Sequence, residues 1–65
     1  MKQARKITIS DGIVYEVGQQ LSPDVVVERI EVGYPMAQVY TNKSSTKAAL
    51  DVFLNPWSII EYIET

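Results

Sequence analysis

The alternation of apolar and polar residues predicts a chain built mainly of β-strands. Residues 7–10 read Ile-Thr-Ile-Ser, with an apolar side chain at every second position, as in a strand with one buried face. The pair Asp11-Gly12 follows, and such pairs are preferred in tight type I′ turns. Residues 13–17 then read Ile-Val-Tyr-Glu-Val. Together these pieces predict a β-hairpin.

Two further strands are predicted in the middle of the chain, over residues 25–32 and 36–41. The first opens with three valines, and the second alternates between two faces. Glu28 interrupts the apolar face of the first strand, which predicts a β-bulge or an early entry to the core at that point. Residues 19–24 contain Ser-Pro-Asp and are predicted to be a loop. Gly33-Tyr34-Pro35 is expected to end the first strand.

Residues 46–54 fit two structures. A short helix, capped by Ser45 or Thr46, would place Leu50, Phe53 and Leu54 on one face. A strand would instead point Leu50, Val52 and Leu54 inward and Phe53 outward. We favour the strand because its neighbours are predicted to be strands, and an α+β fold with a helix at 46–54 is the alternative.

The densest apolar run of the chain, residues 53–63, is broken once by a proline. It reads Phe-Leu-Asn-Pro-Trp-Ser-Ile-Ile-Glu-Tyr-Ile. Pro56 ends the first part at a corner, and the β-branched residues after it predict a last strand over 59–63. The whole pattern predicts a mostly β fold of five or six short strands, with residues 7–65 as one small barrel domain.

The same stretch resembles the end of an SH3-like barrel. In that superfamily the fourth strand ends at a proline, a single 3₁₀ turn follows, and a short fifth strand closes the sheet. Here Pro56-Trp57-Ser58 and the aliphatic Ile60 stand at the matching places. Leu21-Ser22 ahead of the valines at 25–27 is similar to the end of that superfamily's long first loop. The resemblance implies an SH3-like barrel with a 3₁₀ turn at Pro56-Trp57-Ser58.

The residues that bind proline-rich peptides in SH3 domains are mostly missing. Those domains carry a tryptophan at the start of the third strand and a tyrosine three residues after the corner proline. Here the third strand begins near Met36 without a tryptophan, and Ile59 stands at the second place. The resemblance therefore does not imply a polyproline ligand.

Composition narrows the chemistry more than it narrows the fold. The 65 residues allow one domain. They include no cysteine and no histidine, so disulfides, thiolate metal sites and the commonest general base are excluded. The serines lie among turn-forming residues, and the three glycines do not form a phosphate-binding loop. The protein is predicted not to be an enzyme, and no cofactor or metal site is expected.

Charge is distributed unevenly along the chain. The first six residues carry three positive charges, whereas the rest has three basic and eight acidic residues, a formal charge of −5. Residues 1–6 are predicted to be a flexible basic arm. A nucleic-acid-binding function would use this arm together with two later lysines, so its candidate residues are Lys2, Arg5, Lys6, Lys43 and Lys47.

No signal peptide and no apolar run of membrane-spanning length is present. We therefore expect a cytoplasmic protein with no membrane partner, in which Asn42-Lys43-Ser44 is a chance match to a glycosylation sequon.

The remaining candidate chemistry is an exposed set of large side chains, because interfaces favour Trp, Tyr, Phe and Met. Its expected members are Tyr34, Met36, Phe53 and Trp57. The leading hypothesis is a small non-catalytic module that binds another protein, and from its size alone it would suit a phage- or plasmid-type accessory protein or inhibitor. The alternatives are the nucleic-acid-binding barrel and a structural homodimer, since a core this small is often supplemented by self-association.

Overall fold

The structure is a computed structural model that describes residues 2–44 and 46–63. Within these ranges the chain forms seven β-strands and no helix. The mostly β fold class is confirmed, with a strand or two more than the pattern predicts. The strands are β1 Lys2–Ser10, β2 Ile13–Glu16, β3 Gln20–Ser22, β4 Val25–Gly33, β5 Met36–Thr41, β6 Leu50–Phe53 and β7 Ile59–Tyr62.

All strand pairs are antiparallel and belong to one curled sheet that forms a half-barrel. The main order is β2-β1-β4-β5-β6, while β3 pairs with β4 and β7 pairs with β1. Strand β1 is paired on both sides, since Lys6 lies opposite Glu16 of β2 and also opposite Glu61 of β7. Strands β6 and β7 each have a single pairing partner. Each of them therefore leaves one backbone edge without a described strand beside it.

Register shifts in the long strands accompany the curl of the sheet. They occur at Thr8/Ser10 and at Ala4/Lys6 in β1, and at Val27/Arg29 in β4. An extra residue in one strand bends it and increases its twist. The bulge predicted at Glu28 is confirmed, because Val27 lies opposite Thr41 and Arg29 lies opposite Tyr40, which leaves Glu28 as the extra residue.

The core consists mostly of small and β-branched side chains. In β5 the burial alternates strictly, with Ala37, Val39 and Thr41 buried, as period two requires. Among the described residues, eight apolar side chains are buried: Ala4, Ile7, Val27, Ile30, Val32, Ala37, Val39 and Leu54.

The sequence predicts that residues 1–6 form a flexible arm, but the described residues of this segment belong to the sheet. Strand β1 begins at Lys2, and Lys2 and Ala4 lie opposite Val32 and Ile30 of β4. Ala4 is fully buried. The basic side chains of this segment gave no sign of the pairing. It forms all the same because backbone hydrogen bonds in a ladder do not depend on side-chain polarity.

The helix proposed as an alternative for residues 46–54 is wrong. Residues 50–53 form β6, which pairs with β5 from Val39–Leu50 to Met36–Phe53. Val52 packs on the core while Phe53 is exposed, as the strand interpretation predicts. The available edge of β5 satisfies the backbone of this segment, and that tertiary contact outweighs the helix propensity of the alanines before it. Ser45, one of the two proposed helix caps, lies outside the described residues.

Two local predictions also need correction. The β1–β2 turn is not type I′, because Gly12 has a φ of 82° while no described residue other than glycine has a positive φ. A type I′ turn would require one at Asp11 as well. The loop predicted over residues 19–24 contains strand β3, in which Gln20 lies opposite Val26.

Candidate functional site

Two members of the predicted patch face each other across neighbouring strands. Met36 of β5 lies directly opposite Phe53 of β6. Both point to the outer face, because Ala37 and Val52 at the next position point to the core. The Phe53 side chain is 70% exposed. A large ring is therefore displayed on a paired strand instead of on a loose loop.

Tyr34 joins this pair from the connection between β4 and β5. Gly33 lies opposite Met36, so the connection is only the cis dipeptide Tyr34-Pro35, and Tyr34 is 76% exposed. The Leu54 N–H donates to the Pro35 carbonyl at 2.8 Å. The structure thus brings Tyr34, Met36 and Phe53 together at one end of the β5–β6 pair.

Trp57 lies in the connection from β6 to β7 and is 81% exposed. Its N–H donates to Asn55 Oδ1 at 2.9 Å. The Ser58 N–H donates to the Asn55 carbonyl at 3.0 Å, and the Asn55 N–H donates to Ser58 Oγ at 2.9 Å. These bonds close one tight turn at the predicted corner. Trp57 is four residues from Phe53, so their Cα atoms are at most about 14 Å apart.

Asn55 is the functional residue that sequence reasoning missed. Its Nδ2 donates to the carbonyl of Ile9 at 3.1 Å, which ties the turn that carries Trp57 to strand β1. The sequence contains a local signal, because an Asn side chain commonly forms a turn by accepting a hydrogen bond from the backbone N–H two residues later. Its partner on β1 could not be foreseen. We use the name apolar patch for Tyr34, Met36, Phe53 and Trp57.

A polar row borders the apolar patch on the outer face. Glu31, Gln38 and Asp51 lie opposite one another across β4, β5 and β6. Arg29 Nε lies 2.7 Å from Glu31 Oε2, whereas no ion pair to Asp51 occurs among residues 2–44 and 46–63. Asp51 is therefore the carboxylate beside the patch with no described cation to neutralise it.

An aromatic contact holds the far part of this row. The Arg29 guanidinium carbon lies 3.9 Å from the centroid of the Tyr40 ring. The Tyr40 hydroxyl donates to Gln38 Oε1 at 3.2 Å. Arg29, Tyr40 and Gln38 therefore support one another, which makes this part of the face a structural network.

The three N-terminal cations of the nucleic-acid hypothesis each lie beside a carboxylate or an aromatic ring. The ammonium of Lys2 lies 5.3 Å from the centroid of the Tyr62 ring, and Arg5 forms an ion pair with Glu61. Lys6 lies between Glu16 and Glu61 in the sheet. These neighbours reduce the positive potential that a phosphate backbone would meet.

The other two cations, Lys43 and Lys47, lie at the opposite end of β4. The Asn42 N–H donates to the Val26 carbonyl at 3.0 Å, while Lys2 lies opposite Val32. Six residues of strand separate these positions, on the order of 15–20 Å. The structure does not bring the five basic residues together.

The described part of the chain contains no group of three or more potential metal-ligating side chains. Nor does any helix able to cross a lipid bilayer occur in it.

Comparisons with known proteins add no relative. No protein-family model matches the chain, and the curated proteins and the solved structures yield no significant match. The fold itself defines a class, a small antiparallel half-barrel with an exposed apolar patch. The resemblance to SH3-like barrels stays a prediction, because no comparison tests it.

Proposed function

We propose that the protein is a small, non-catalytic, cytoplasmic module that binds another protein through the apolar patch. One observation carries this proposal. Tyr34, Phe53 and Trp57 are 76%, 70% and 81% exposed, although a domain this small has little apolar surface to bury and each such ring would add about 150–250 Å². An accessory protein or inhibitor of phage or plasmid type would act in this way.

The size of the patch supports a modest but specific interface. An aromatic side chain buries about 150–250 Å², so three rings at these exposures leave roughly 450 Å² of apolar surface in water. A stable complex buries about 800 Å² per partner. The rings would thus supply roughly half of one side of an interface, and the polar groups around them would supply the rest.

The patch is also held in a defined geometry, which reduces the entropy lost on binding. Phe53 is part of a paired strand, and the turn that carries Trp57 is closed by hydrogen bonds from the Trp57 and Ser58 amides to Asn55. Tyr and Trp have only two side-chain torsions to restrict.

The test compares variants of the full chain in partner binding. Tagged wild-type protein is used to capture a partner from the native host, and the affinity for the purified partner is then measured by calorimetry. Trp57→Ala and Tyr34→Ala are each expected to weaken binding about 30-fold or more, the usual effect of losing an interface anchor. Both should melt within a few degrees of wild type, because their rings are 81% and 76% exposed.

Leu21→Ala is the matched control, since it removes a 38% exposed apolar side chain from β3 at the opposite end of β4 from Tyr34. It should leave affinity unchanged. If the double variant Trp57→Ala/Tyr34→Ala binds the partner as wild type does, the proposal is wrong.

A second copy of the chain is the second candidate partner, favoured by the sheet edge that β7 leaves without a described strand. Such edges pair readily with another chain. A structural homodimer predicts twice the monomer mass in light scattering at high protein concentration. A monomer mass across the whole concentration range would remove this candidate.

A further inference from the structure

We propose that the free edge of β6 receives an extended, lysine- or arginine-containing segment of the partner protein, which adds to the sheet as a further strand. This inference rests on the proposed function and names the partner's chemistry. It follows from the backbone register, the side-chain pattern and the charge of this edge.

The hydrogen-bond register of β6 shows which backbone groups face outward. The Leu54 N–H bonds the Pro35 carbonyl, and in an antiparallel ladder such bonds recur at every second residue. Val52 therefore faces β5, while the N–H and C=O groups of Asp51 and Phe53 point away from it. These two residues offer a pair of donors and acceptors to an added strand.

The side chains along the same edge define what an added strand would carry. Leu50 and Val52 point toward the core side, and Leu50 remains 38% exposed at the rim. Asp51 and the 70% exposed Phe53 point to the outer face. An occupant with apolar residues on one face would extend the core, and its other face would meet a carboxylate and a ring.

Charge identifies the occupant as basic. Asp51 has no ion-pair partner among residues 2–44 and 46–63, and the whole chain has a formal net charge of −2. A lysine or arginine opposite Asp51 forms a favourable cross-strand pair, and beside Phe53 it gains a cation–π contact.

A second copy fits this edge poorly. The β6 sequence Leu-Asp-Val-Phe contains no cation, so β6 paired with itself would set Asp51 against another Asp51 or against Phe53. Two copies, each with a formal net charge of −2, would also repel each other.

The test uses isotope-labelled full chain and synthetic peptides in nuclear magnetic resonance titrations. The probe is a capped eight-residue peptide that alternates valine with lysine. One control peptide carries glutamate in place of lysine, and another keeps the lysines but is N-methylated at alternate backbone nitrogens. We expect the lysine peptide to slow hydrogen exchange at the Asp51 and Phe53 amides and to bind roughly fivefold or more tighter than the glutamate peptide. The N-methylated peptide should give no such protection.

Two substitutions at one position separate backbone pairing from charge. Asp51→Pro removes an N–H that faces the free edge, so the fold should persist while strand addition is lost. Asp51→Asn keeps the N–H, and should retain binding while losing most of the preference for lysine over glutamate. Equal binding of both charged peptides to wild type would overturn the inference. So would protection that appears at Ile60 and Tyr62, which face the outer edge of β7, instead of at Asp51 and Phe53.

The same variants distinguish this inference from the proposed function. If Asp51→Pro binds the captured partner as wild type does while Trp57→Ala does not, the apolar patch is the binding site and strand addition at β6 is wrong. If neither variant alters partner binding, the proposed function fails as well.

Discussion

Removal of the Asn55 side chain should destabilise the protein far more than its position in a short turn suggests. Asn55→Ala deletes two hydrogen bonds, to the Trp57 N–H at 2.9 Å and to the Ile9 carbonyl at 3.1 Å. Asn55 is half-buried. The substitution therefore detaches the β6–β7 connection from β1 without altering the core.

The magnitude follows from the number of bonds and their burial. A hydrogen bond contributes about 1 kcal/mol net to stability. Leaving its buried partner without any hydrogen bond destabilises the protein by more than that. We expect a loss of about 2 kcal/mol for Asn55→Ala. In a domain of this size, 1 kcal/mol shifts the melting temperature by about 4–8 °C, so the expected drop is on the order of 8–16 °C.

Asn42 provides a matched control for this prediction. Its side chain also makes two backbone hydrogen bonds, accepting from Val26 N at 3.0 Å and donating to the carbonyl of Asp24 at 3.1 Å. Asn42 is exposed, so water replaces these bonds and Asn42→Ala should cost roughly 0.5–1 kcal/mol.

The assay is urea unfolding of wild type and both alanine variants, followed by tryptophan fluorescence and by circular dichroism. The midpoint should fall while the slope stays constant, since the surface exposed on unfolding is unchanged. Equal losses at the two asparagines, or a loss below about 0.5 kcal/mol at Asn55, would refute the reasoning.

Three further predictions concern the core, one turn and one ion pair. Ile30→Val should lower the free energy of unfolding in urea by about 1 kcal/mol, because Ile30 is fully buried. Ile59→Val should leave it almost unchanged, because Ile59 is 62% exposed. Equal losses would contradict the assigned core. Gly12→Ala should cost about 1–2 kcal/mol from backbone conformation alone, since its φ is 82° and no atom lies within 4 Å of an added Cβ. Gly12→Asn should cost less. A double-mutant cycle on Arg5 and Glu61 should give a coupling below about 1 kcal/mol that falls with added salt, because both side chains are exposed to solvent.

Several parts of the fold could be predicted from short windows of sequence. The period-two pattern of β5 matches its burial, and the charge that interrupts the apolar face of β4 marked the bulge at Glu28. The position of the Asp11-Gly12 turn was predicted correctly, but its type was predicted wrongly. These features depend on neighbouring residues, and side-chain alternation together with turn chemistry carries that information.

The apolar patch could be predicted only as a list of residue types. Tyr34 and Phe53 are distant in sequence. They lie at the same end of the sheet because β5, which begins two residues after Tyr34, pairs with β6. The nucleic-acid candidates show the opposite case, since the fold separates Lys2 from Lys43 along the length of β4. Both sets were chosen by residue type alone, and strand pairing decides which one converges.

The sequence by itself determined that most of the chain is extended, which face of β5 is apolar, and that chemistry based on cysteine or histidine is absent. Only the tertiary structure decided that the basic N-terminus is a paired strand. It also decided that Asn55 bonds a carbonyl 46 positions away, and that β6 keeps a free edge beside Asp51. The physical reason is that backbone hydrogen-bonding groups are nearly identical in every residue. A local pattern therefore specifies a strand, whereas its neighbours and its free edges emerge only when the whole sheet assembles around one core.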